Sequence, residues 1–206
     1  MNIFFDIQQA HAGITGWCSW QKAETLASIV IASRPAISVE IGVWYGKSII
    51  PIAMAHRHIG TGKVIAIDPW IAGCSADGQL NEVDRKWWNH QDIHDAALNS
   101  FLTTVKELGL RDVVEVQHMH SDEFDVPDGI GLLSVDGNHG EQAIRDIQRY
   151  APKIKVGGFL VADDIGWTGG AVEKAVGLLP EMGFVELYRL ADKVSENTWA
   201  VFQRVI

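Results

Sequence analysis

Apolar residues along the chain fall into short runs that alternate with longer stretches of helical periodicity. The short runs predict five strands, over 36–41, 63–67, 113–117, 130–135 and 158–162. The stretches of helical spacing predict helices over 21–33, 49–58, 87–109, 141–150 and 170–182. Strands that alternate with helices of this length are typical of an α/β protein built on a parallel sheet.

The end of the chain has a different pattern. Residues 184–190 and 198–205 alternate with period two around a polar stretch at 192–197, which predicts an antiparallel hairpin. The chain of 206 residues is expected to form a single domain, in which a helical segment over 1–35 packs on a core formed by 36–206. The polar stretch 70–85 is expected to be a loop or a lid.

Composition and charge exclude several functions. The formal net charge is −9 and no basic run exceeds two residues, so a nucleic-acid partner is not expected. No apolar run reaches the roughly 20 residues of a membrane span. Two cysteines, Cys18 and Cys74, are too few for a disulfide framework, which favours the cytoplasm. Eight tryptophans are unusually many, and they either pack beneath long loops or line an aromatic pocket.

Acidic residues stand where the predicted parallel strands end. Ligands bind beyond the carboxyl ends of strands in open parallel sheets, so these acids are candidate site residues. They are Glu40, Asp68, Asp136, Asp163 and Asp164. Carboxylates brought together at neighbouring strand ends repel one another unless a cation lies among them, and oxygen ligands suit Mg²⁺, Mn²⁺ or Ca²⁺. Alternatively, Asp163 or Asp164 caps the helix that begins nearby.

The segment 40–46 (EIGVWYG) predicts a tight turn from strand to helix. Its glycines, Gly42 and Gly46, allow the backbone to approach a ligand closely, although a simple packing turn has the same pattern. Asp68 ends the second strand and suits a carboxylate that accepts both hydroxyls of a ribose. The alternative for Asp68 is a turn cap before Pro69.

Four of these segments, in this order, resemble the class I S-adenosylmethionine-dependent methyltransferases, specifically the metal-dependent O-methyltransferases of small molecules. They are VEIGVWYG (39–46), AIDPW (66–70), HSDEF (120–124) and the pair SVDGNHG and VADDIG near 134–140 and 161–166. The resemblance covers residue 37 to the end of the chain. It implies a Rossmann-like sandwich with a mostly parallel seven-stranded sheet and a C-terminal antiparallel hairpin.

The resemblance also implies the site residues. The expected contacts of S-adenosylmethionine are Glu40, Gly42, Trp44, Tyr45, Gly46, Ser48, Asp68, Pro69, Trp70, Ser121, Asp122 and Asp136. The expected ligands of a Mg²⁺ ion are Asp136, Asp163 and Asp164. The implied reaction is methyl transfer to a hydroxyl of a small molecule, assisted by the cation. Members of the family often form homodimers, but no segment of the sequence indicates an interface.

His139 is the candidate general base. It follows Asp136 by three residues, the spacing at which catechol-methylating members of the family have a catalytic lysine. An imidazole has a pKa suited to accept the hydroxyl proton. The sequence departs from the family here, because Asn138 stands where some members have an acidic base. A histidine that orients the substrate or has a structural role is the alternative.

Two other functions are compatible with an α/β fold of this kind. A dinucleotide-dependent oxidoreductase is disfavoured because the turn at 42–46 lacks the GxGxxG spacing. A cofactor-binding accessory protein without transferase chemistry stays open. His90 and His94 have the helical spacing of a metal pair but more often mark a polar helix face. The substrate pocket is expected to involve the N-terminal segment and residues 70–88.

Overall fold

The fold is built on one twisted sheet of seven strands. A computed structural model describes residues 2–74, 82–167, 169–191 and 198–206. Its strands are β1 (Ile37–Ile41), β2 (Lys63–Asp68), β3 (Val114–His118), β4 (Ile130–Val135), β5 (Ile154–Ile165), β6 (Phe184–Ala191) and β7 (Thr198–Arg204). Their order across the sheet is β3-β2-β1-β4-β5-β7-β6. The first five strands pair in parallel and β7 is antiparallel to β5 and β6, which confirms the predicted sheet and hairpin.

Helices cover both faces of this sheet. They are α1 (Ile3–Ala12), α2 (Trp20–Ser33), α3 (Ile49–Ile59), α4 (Glu82–Trp88), α5 (Gln91–Glu107), α6 (Glu141–Tyr150) and α7 (Ala171–Val176). Apolar residues of α1, α2, α3 and α5 form one core with the sheet face that carries Val64 and Leu132. Residues of α6 and α7 form a second core with the face that carries Val39 and Leu133. The chain therefore folds as three layers, as an α/β pattern requires.

The predicted helix over 87–109 is two helices in the structure. Helix α4 begins at Glu82, inside the stretch expected to be a loop, and His90 has the extended backbone of an N-cap before α5. The break has a packing reason, because α5 buries Phe101 in the core while Trp87 and Trp88 line a pocket at the edge of the sheet. Residues 75–81 of the expected loop and the predicted turn at 192–197 lie outside the described residues.

Two further boundaries differ from the sequence prediction. Strand β5 extends to Ile165 and includes both acids of the ADD motif, so Asp163 and Asp164 belong to the strand end and do not cap a helix. Helix α7 ends at Val176, and a short 3-10 turn follows at Pro180–Met182. Gly177 ends the helix, because glycine is a weak helix former and proline three residues later has no N–H to continue it.

The N-terminal segment, residues 2–35, packs on the same core as the rest of the chain. The sequence analysis expected a helical segment here without bounds for helix α1, which Asn2 caps by accepting a hydrogen bond from the N–H of Phe4. Ile7 of α1 and Leu26 and Val30 of α2 are fully buried against α3 and the sheet. Packing of this kind places α2 close to the ends of β4 and β5. None of the described helices is long and apolar enough to span a lipid bilayer.

Candidate active site

The carboxyl ends of four parallel strands lie level with one another. Ile41 pairs with Ile67 on one side and with Val135 on the other, and Val135 pairs with Ala162. The residues that follow these positions in β1, β2, β4 and β5 therefore meet at one edge of the sheet. A pocket of about 1130 Å³ opens there, and it also receives residues 15–18, helix α4 and the segment after β3.

Most of the predicted site residues line this pocket. They are Gly42, Trp44, Tyr45, Ser48, Asp68, Pro69, Ser121, Asp136, His139, Asp163 and Asp164. Four predicted cofactor contacts, Glu40, Gly46, Trp70 and Asp122, are absent from its lining. Because the lining residues come from every segment of the family resemblance, the motifs converge on one cavity.

Gly42 is required by a close approach of two backbones. Its φ is +83°, and a Cβ at this position would lie 2.0 Å from the carbonyl oxygen of Asp136. A side chain there would separate the turn after β1 from the loop after β4. Gly46 has a different role, because a Cβ would lie 2.5 Å from the ring of Phe101 in the core. Gly42 therefore allows the turn to approach the loop after β4, and Gly46 allows the turn to pack against α5.

Asp68 holds the backbone of the turn at 42–46 by hydrogen bonds. Its Oδ2 accepts hydrogen bonds from the N–H groups of Val43 and Trp44 at 2.9 Å, and its Oδ1 accepts one from Trp70 at 2.7 Å. Burial raises the pKa of Asp68 above its ordinary value, although these three N–H groups favour the charged form. A carboxylate has about four acceptor positions, so two N–H groups of the turn and that of Trp70 take three and leave one for a ligand hydroxyl.

Two of the residues that do not line the pocket, Glu40 and Trp70, support residues that do. Glu40 is fully buried, and its Oε1 accepts a hydrogen bond of 2.6 Å from Ser48, which does line the pocket. Burial raises the pKa of Glu40 to about 8. Trp70 is 1% exposed, stacks on Phe101 and donates its indole N–H to the carbonyl of Trp44.

Asp122 does not face the pocket. Its side chain is exposed and pairs with Arg145 at 3.4 Å. The neighbouring Ser121 lines the pocket and donates a hydrogen bond of 2.6 Å to Asp146, a buried acid on α6 that the sequence analysis missed. Asp146 Oδ2 is buried without a hydrogen-bond partner among the described residues, so it offers a lone pair at the same end of the pocket as Ser121.

The three acids predicted to bind Mg²⁺ do come together. One carboxylate oxygen from each of Asp136, Asp163 and Asp164 lies within 4.8 Å of the others. A second feature was not predicted: the ammonium of Lys22, on α2, donates to Oδ2 of Asp136 at 2.6 Å and also to Oδ2 of Asp163. The side chain of Lys22 is completely buried.

The charges around Lys22 favour its protonated form. Burial by itself would lower the pKa of Lys22, but the carboxylates of Asp136 and Asp163 outweigh burial and raise it well above its ordinary value. Burial likewise raises the pKa of Asp163, and the ammonium of Lys22 opposes that shift. The group is therefore an ion pair formed by one lysine and two aspartates.

His139 forms a second ion pair with the third acid. Its Nε2 lies 2.7 Å from Oδ2 of Asp164, and its ring packs 4.4 Å from the ring of Trp167. Burial would lower the pKa of His139, but the hydrogen bond and charge of Asp164 raise it above the ordinary value. Nδ1 is buried and has no partner among the described residues. A neutral ring held in this way carries its proton on Nε2 and its lone pair on Nδ1.

The predicted Mg²⁺ was tested against these contacts. Carboxylate oxygens are suitable donors for this ion, and three of them are near one another. Asp136 and Asp163, however, already contact the ammonium of Lys22, and Asp164 contacts the ring of His139. A dication at their centre would lie beside a buried ammonium that shares two of its ligands. The site as it stands does not fit the ion.

Aromatic rings form one wall of the pocket. The ring centroids of Trp44 and Trp88 are 4.7 Å apart, those of Trp87 and Trp88 are 4.9 Å apart, and Trp17 reaches Trp88 at 6.2 Å. His94 is buried against Trp44 and bonds the carbonyl of Trp88, so it supports this wall and does not form a metal pair with His90. The tryptophan excess is therefore partly explained by an aromatic pocket.

Lys22 could have been found from the sequence. It precedes Leu26 by four residues, so it falls on the apolar face of the predicted helix over 21–33, where a lysine is unusual. A charge in that position has to meet an opposite charge in the folded chain. Asp146 gave no comparable signal, because acids are common on amphipathic helices of this kind.

Residues 39–165 match the family model described as Methyltransferase domain. A search of curated proteins found no match. Among solved structures, the O-methyltransferase NovP is 20% identical, with a TM-score of 0.67 over 90% of this chain and 79% of that one. TomG from Streptomyces achromogenes, an O-methyltransferase solved with SAM, is 14% identical with a TM-score of 0.65 over 100% and 91%. An rRNA methylase from Streptococcus thermophilus is 16% identical with a TM-score of 0.62 over 90% and 95%.

Sequence identities of 14–20% to the solved structures show only that the folds are similar. The match to the family model shows which family the chain belongs to. The model spans more than half of the chain and includes the glycine turn, Asp68, Asp136 and both acids at the end of β5. The chain therefore belongs to the methyltransferase-domain family, in agreement with the resemblance of its motifs, and it has the fold of the class I S-adenosylmethionine-dependent enzymes.

Proposed function

We propose that the chain transfers a methyl group from S-adenosylmethionine to a hydroxyl of a small molecule. The observation that carries the proposal is that the glycine turn with Asp68 and the His139–Asp164 pair line the same pocket. Its volume of about 1130 Å³ exceeds the roughly 300–1,000 Å³ of a site for one ligand, so a cofactor and an acceptor have room side by side.

The cofactor occupies the side of the pocket formed by the ends of β1, β2 and β3. Gly42 and the backbone that follows it face the methionine part, and the remaining acceptor position of Asp68 faces a ribose hydroxyl. Ser121 and the unpartnered Oδ2 of Asp146 offer acceptors for the amino group of adenine. TomG was solved in complex with SAM, which supports the same cofactor on this fold.

The acceptor occupies the side formed by the ends of β4 and β5. Asp164 holds His139 by Nε2, which leaves the lone pair of a neutral ring on Nδ1. Because Nδ1 is buried, the ring has to turn toward the pocket for Nδ1 to accept the hydroxyl proton. S-adenosylmethionine, when bound, would supply an electrophilic methyl group, whose bond to the sulfonium sulfur would break as the acceptor oxygen takes it. Trp44, Trp88 and Trp167 restrict water around the reacting atoms.

A small molecule is favoured over a nucleic acid as the acceptor. The rRNA methylase shows that the fold can serve RNA, but here the net charge is −9 and three aspartates line the acceptor side, so phosphates would be repelled. NovP and TomG are both O-methyltransferases, which supports oxygen as the acceptor atom. The predicted Mg²⁺ has no part in this proposal, because Lys22 and His139 already contact its three expected ligands.

Titration calorimetry with S-adenosylmethionine and S-adenosylhomocysteine tests the cofactor. We expect one molecule to bind per chain. Asp68→Ala should weaken binding, because the turn loses the hydrogen bonds that Val43 and Trp44 donate to this carboxylate. Asp128→Ala, an exposed acid far from the pocket, is the matched control. Absence of binding to the wild-type chain at about millimolar cofactor, equivalent to less than about 4 kcal/mol of binding free energy, would overturn the proposal.

Transfer of a radiolabelled methyl group tests the reaction. The acceptors are a panel of catechols, phenols and sugars, each paired with the analogue that lacks the hydroxyl. Methylated product is expected only from the hydroxylated member of a pair. Tight cofactor binding without transfer to any of them would favour an accessory cofactor-binding protein.

A further inference from the structure

We infer that the buried ammonium of Lys22 takes the place of the divalent cation, so that the chain organises its acceptor-side carboxylates without a resident metal ion. The inference rests on the proposed function only for the identity of the acceptor side. Its physical basis is the contact of Lys22 with two of the three acids and of His139 with the third. Two of the three carboxylates are thus paired with the ammonium of Lys22, and the third has the ring of His139 as its partner.

Lys22 lies in a helix that packs on the core, so the fold itself holds its side chain at the site. It lies in the first turn of α2, which Ser19 caps by accepting a hydrogen bond from the N–H of Lys22. Its neighbours Ala23 and Leu26 are fully buried. The side chain of Lys22 is also completely buried, so moving the ammonium away from Asp136 and Asp163 would leave it unpaired inside the protein.

The ammonium lies behind the carboxylates as seen from the pocket. Asp136, Asp163 and Asp164 line the cavity, whereas Lys22 does not. Lys22 is therefore a positioning residue: it neutralises and orients the two aspartates from the core side. A divalent cation on the pocket side would share ligands with this ammonium and would be repelled by it.

The charges at this pair of acids support the same conclusion. Asp136 and Asp163 together carry −2, and the ammonium of Lys22 that contacts both contributes +1. The remaining charge of −1 is half of what the two bare acids would offer a cation. Removing the ammonium should restore an acidic group to which a divalent cation binds. This gain of binding separates our inference from a purely structural role of Lys22.

The test is direct binding of Mn²⁺, measured by electron paramagnetic resonance on the full chain without cofactor or acceptor. We expect the wild-type chain to bind no Mn²⁺ at up to about 1 mM. Lys22→Met should bind one Mn²⁺ per chain, and the further change Asp163→Asn should abolish that binding. Lys63→Met, the same substitution at an exposed lysine, is the matched control and should bind none.

Two outcomes would overturn the inference. One is stoichiometric Mn²⁺ binding by the wild-type chain below 1 mM that Asp163→Asn removes. The other is a folded Lys22→Met chain, with unchanged far-ultraviolet circular dichroism, that gains no Mn²⁺. If Lys22→Met does not fold, Lys22→Gln retains a polar side chain of similar length and serves in its place. Because neither measurement uses cofactor or methyl transfer, failure here is distinguishable from failure of the proposed function.

Discussion

At the scale of single residues, buried charge distinguishes the two ends of the pocket. At the ends of β1 and β2, Asp68 accepts hydrogen bonds from backbone N–H groups and Glu40 accepts one from the hydroxyl of Ser48. At the ends of β4 and β5, the acids contact Lys22 and His139 instead. Burial raises the pKa of Glu40, which has no cationic partner in the part of the chain that the structure describes, whereas burial would lower the pKa of His139 and the contact with Asp164 raises it.

Replacing His139 by Gln tests its assignment as the base. The amide can keep a contact with Asp164 but cannot accept the hydroxyl proton. We expect kcat to fall by about 10²–10⁴-fold while the dissociation constant of S-adenosylmethionine changes little. Single-turnover methyl transfer and calorimetry on the same preparation measure the two quantities. An unchanged kcat would assign His139 to a structural or orienting role.

Glu40 should give the stability of the cofactor-free chain a recognisable pH dependence. Its pKa is raised from 4.5 to about 8 in the folded chain, so between these values the folded chain keeps a proton that the unfolded chain has released. The free energy of unfolding therefore decreases as pH rises, by up to about 1.4 kcal/mol per pH unit from this group. Below pH 4.5 both states are protonated and the effect vanishes.

The comparison of Glu40→Gln with wild type isolates this contribution. Urea unfolding at pH 5, 6, 7 and 8 should show a smaller decrease for the variant, which becomes the more stable chain at pH 8. Glu115→Gln is the control: Lys63 holds the pKa of Glu115 below its ordinary value, so its contribution changes only in more acidic solution. Parallel curves for Glu40→Gln and wild type would mean that Glu40 is already charged when the chain is folded.

At the scale of elements, the N-terminal helices are components of both the core and the site. Helix α2 buries Leu26 and Val30 on one side and presents Lys22 to the strand ends from its first turn. One helix thus couples hydrophobic packing to the arrangement of the acids. A loss of packing on α2 is expected to affect the acceptor side even though no pocket residue changes.

Leu26→Ala measures how much α2 contributes to stability. Leu26 is 0% exposed, so the substitution should lower the free energy of unfolding by about 2–5 kcal/mol. Leu102 on α5 is 43% exposed, and Leu102→Ala should cost less than about 1 kcal/mol. Urea denaturation of both variants makes the comparison. Equal effects would show that α2 is only loosely attached to the core.

At the scale of the whole molecule, the pocket joins segments that are far apart in the chain. Residues 15–18, the turn after β1, helix α4 and the ends of β4 and β5 all line it. A ligand that contacts these segments together binds the folded chain and not the unfolded one. Ligand binding should therefore stabilise the chain as a single cooperative unit.

Thermal unfolding with S-adenosylhomocysteine tests this expectation. At a ligand concentration of 100 times the dissociation constant, the free energy of unfolding should rise by about 2.7 kcal/mol, in one transition. Gly42→Ala should abolish the increase, because its Cβ would lie 2.0 Å from the carbonyl oxygen of Asp136. Gly129→Ala is the control: Gly129 also has a positive φ, but a Cβ there meets no atom within 4 Å. A ligand-dependent shift in Gly42→Ala equal to that of wild type would contradict the role of the turn.

The sequence by itself determined the features that depend on local pattern. Alternation and helical spacing gave the parallel strands and the hairpin, because side-chain periodicity follows directly from backbone geometry. The acids at the ends of β4 and β5 were found because parallel strands present their carboxyl ends at one edge of the sheet. The helix boundaries at Gly177 and His90 were wrong in the sequence prediction, since tertiary packing overrides weak local preferences there.

Only the tertiary structure decided how the acids are neutralised. Lys22 lies 114 residues from Asp136 and 141 from Asp163 in the chain, and a pattern of nearby residues carries no information about such pairs. The same holds for Trp70, which sequence placed on the cofactor and the fold buried against Phe101. Periodicity specifies which face of a helix is buried, but packing of that face against the rest of the chain specifies which charge a buried lysine meets.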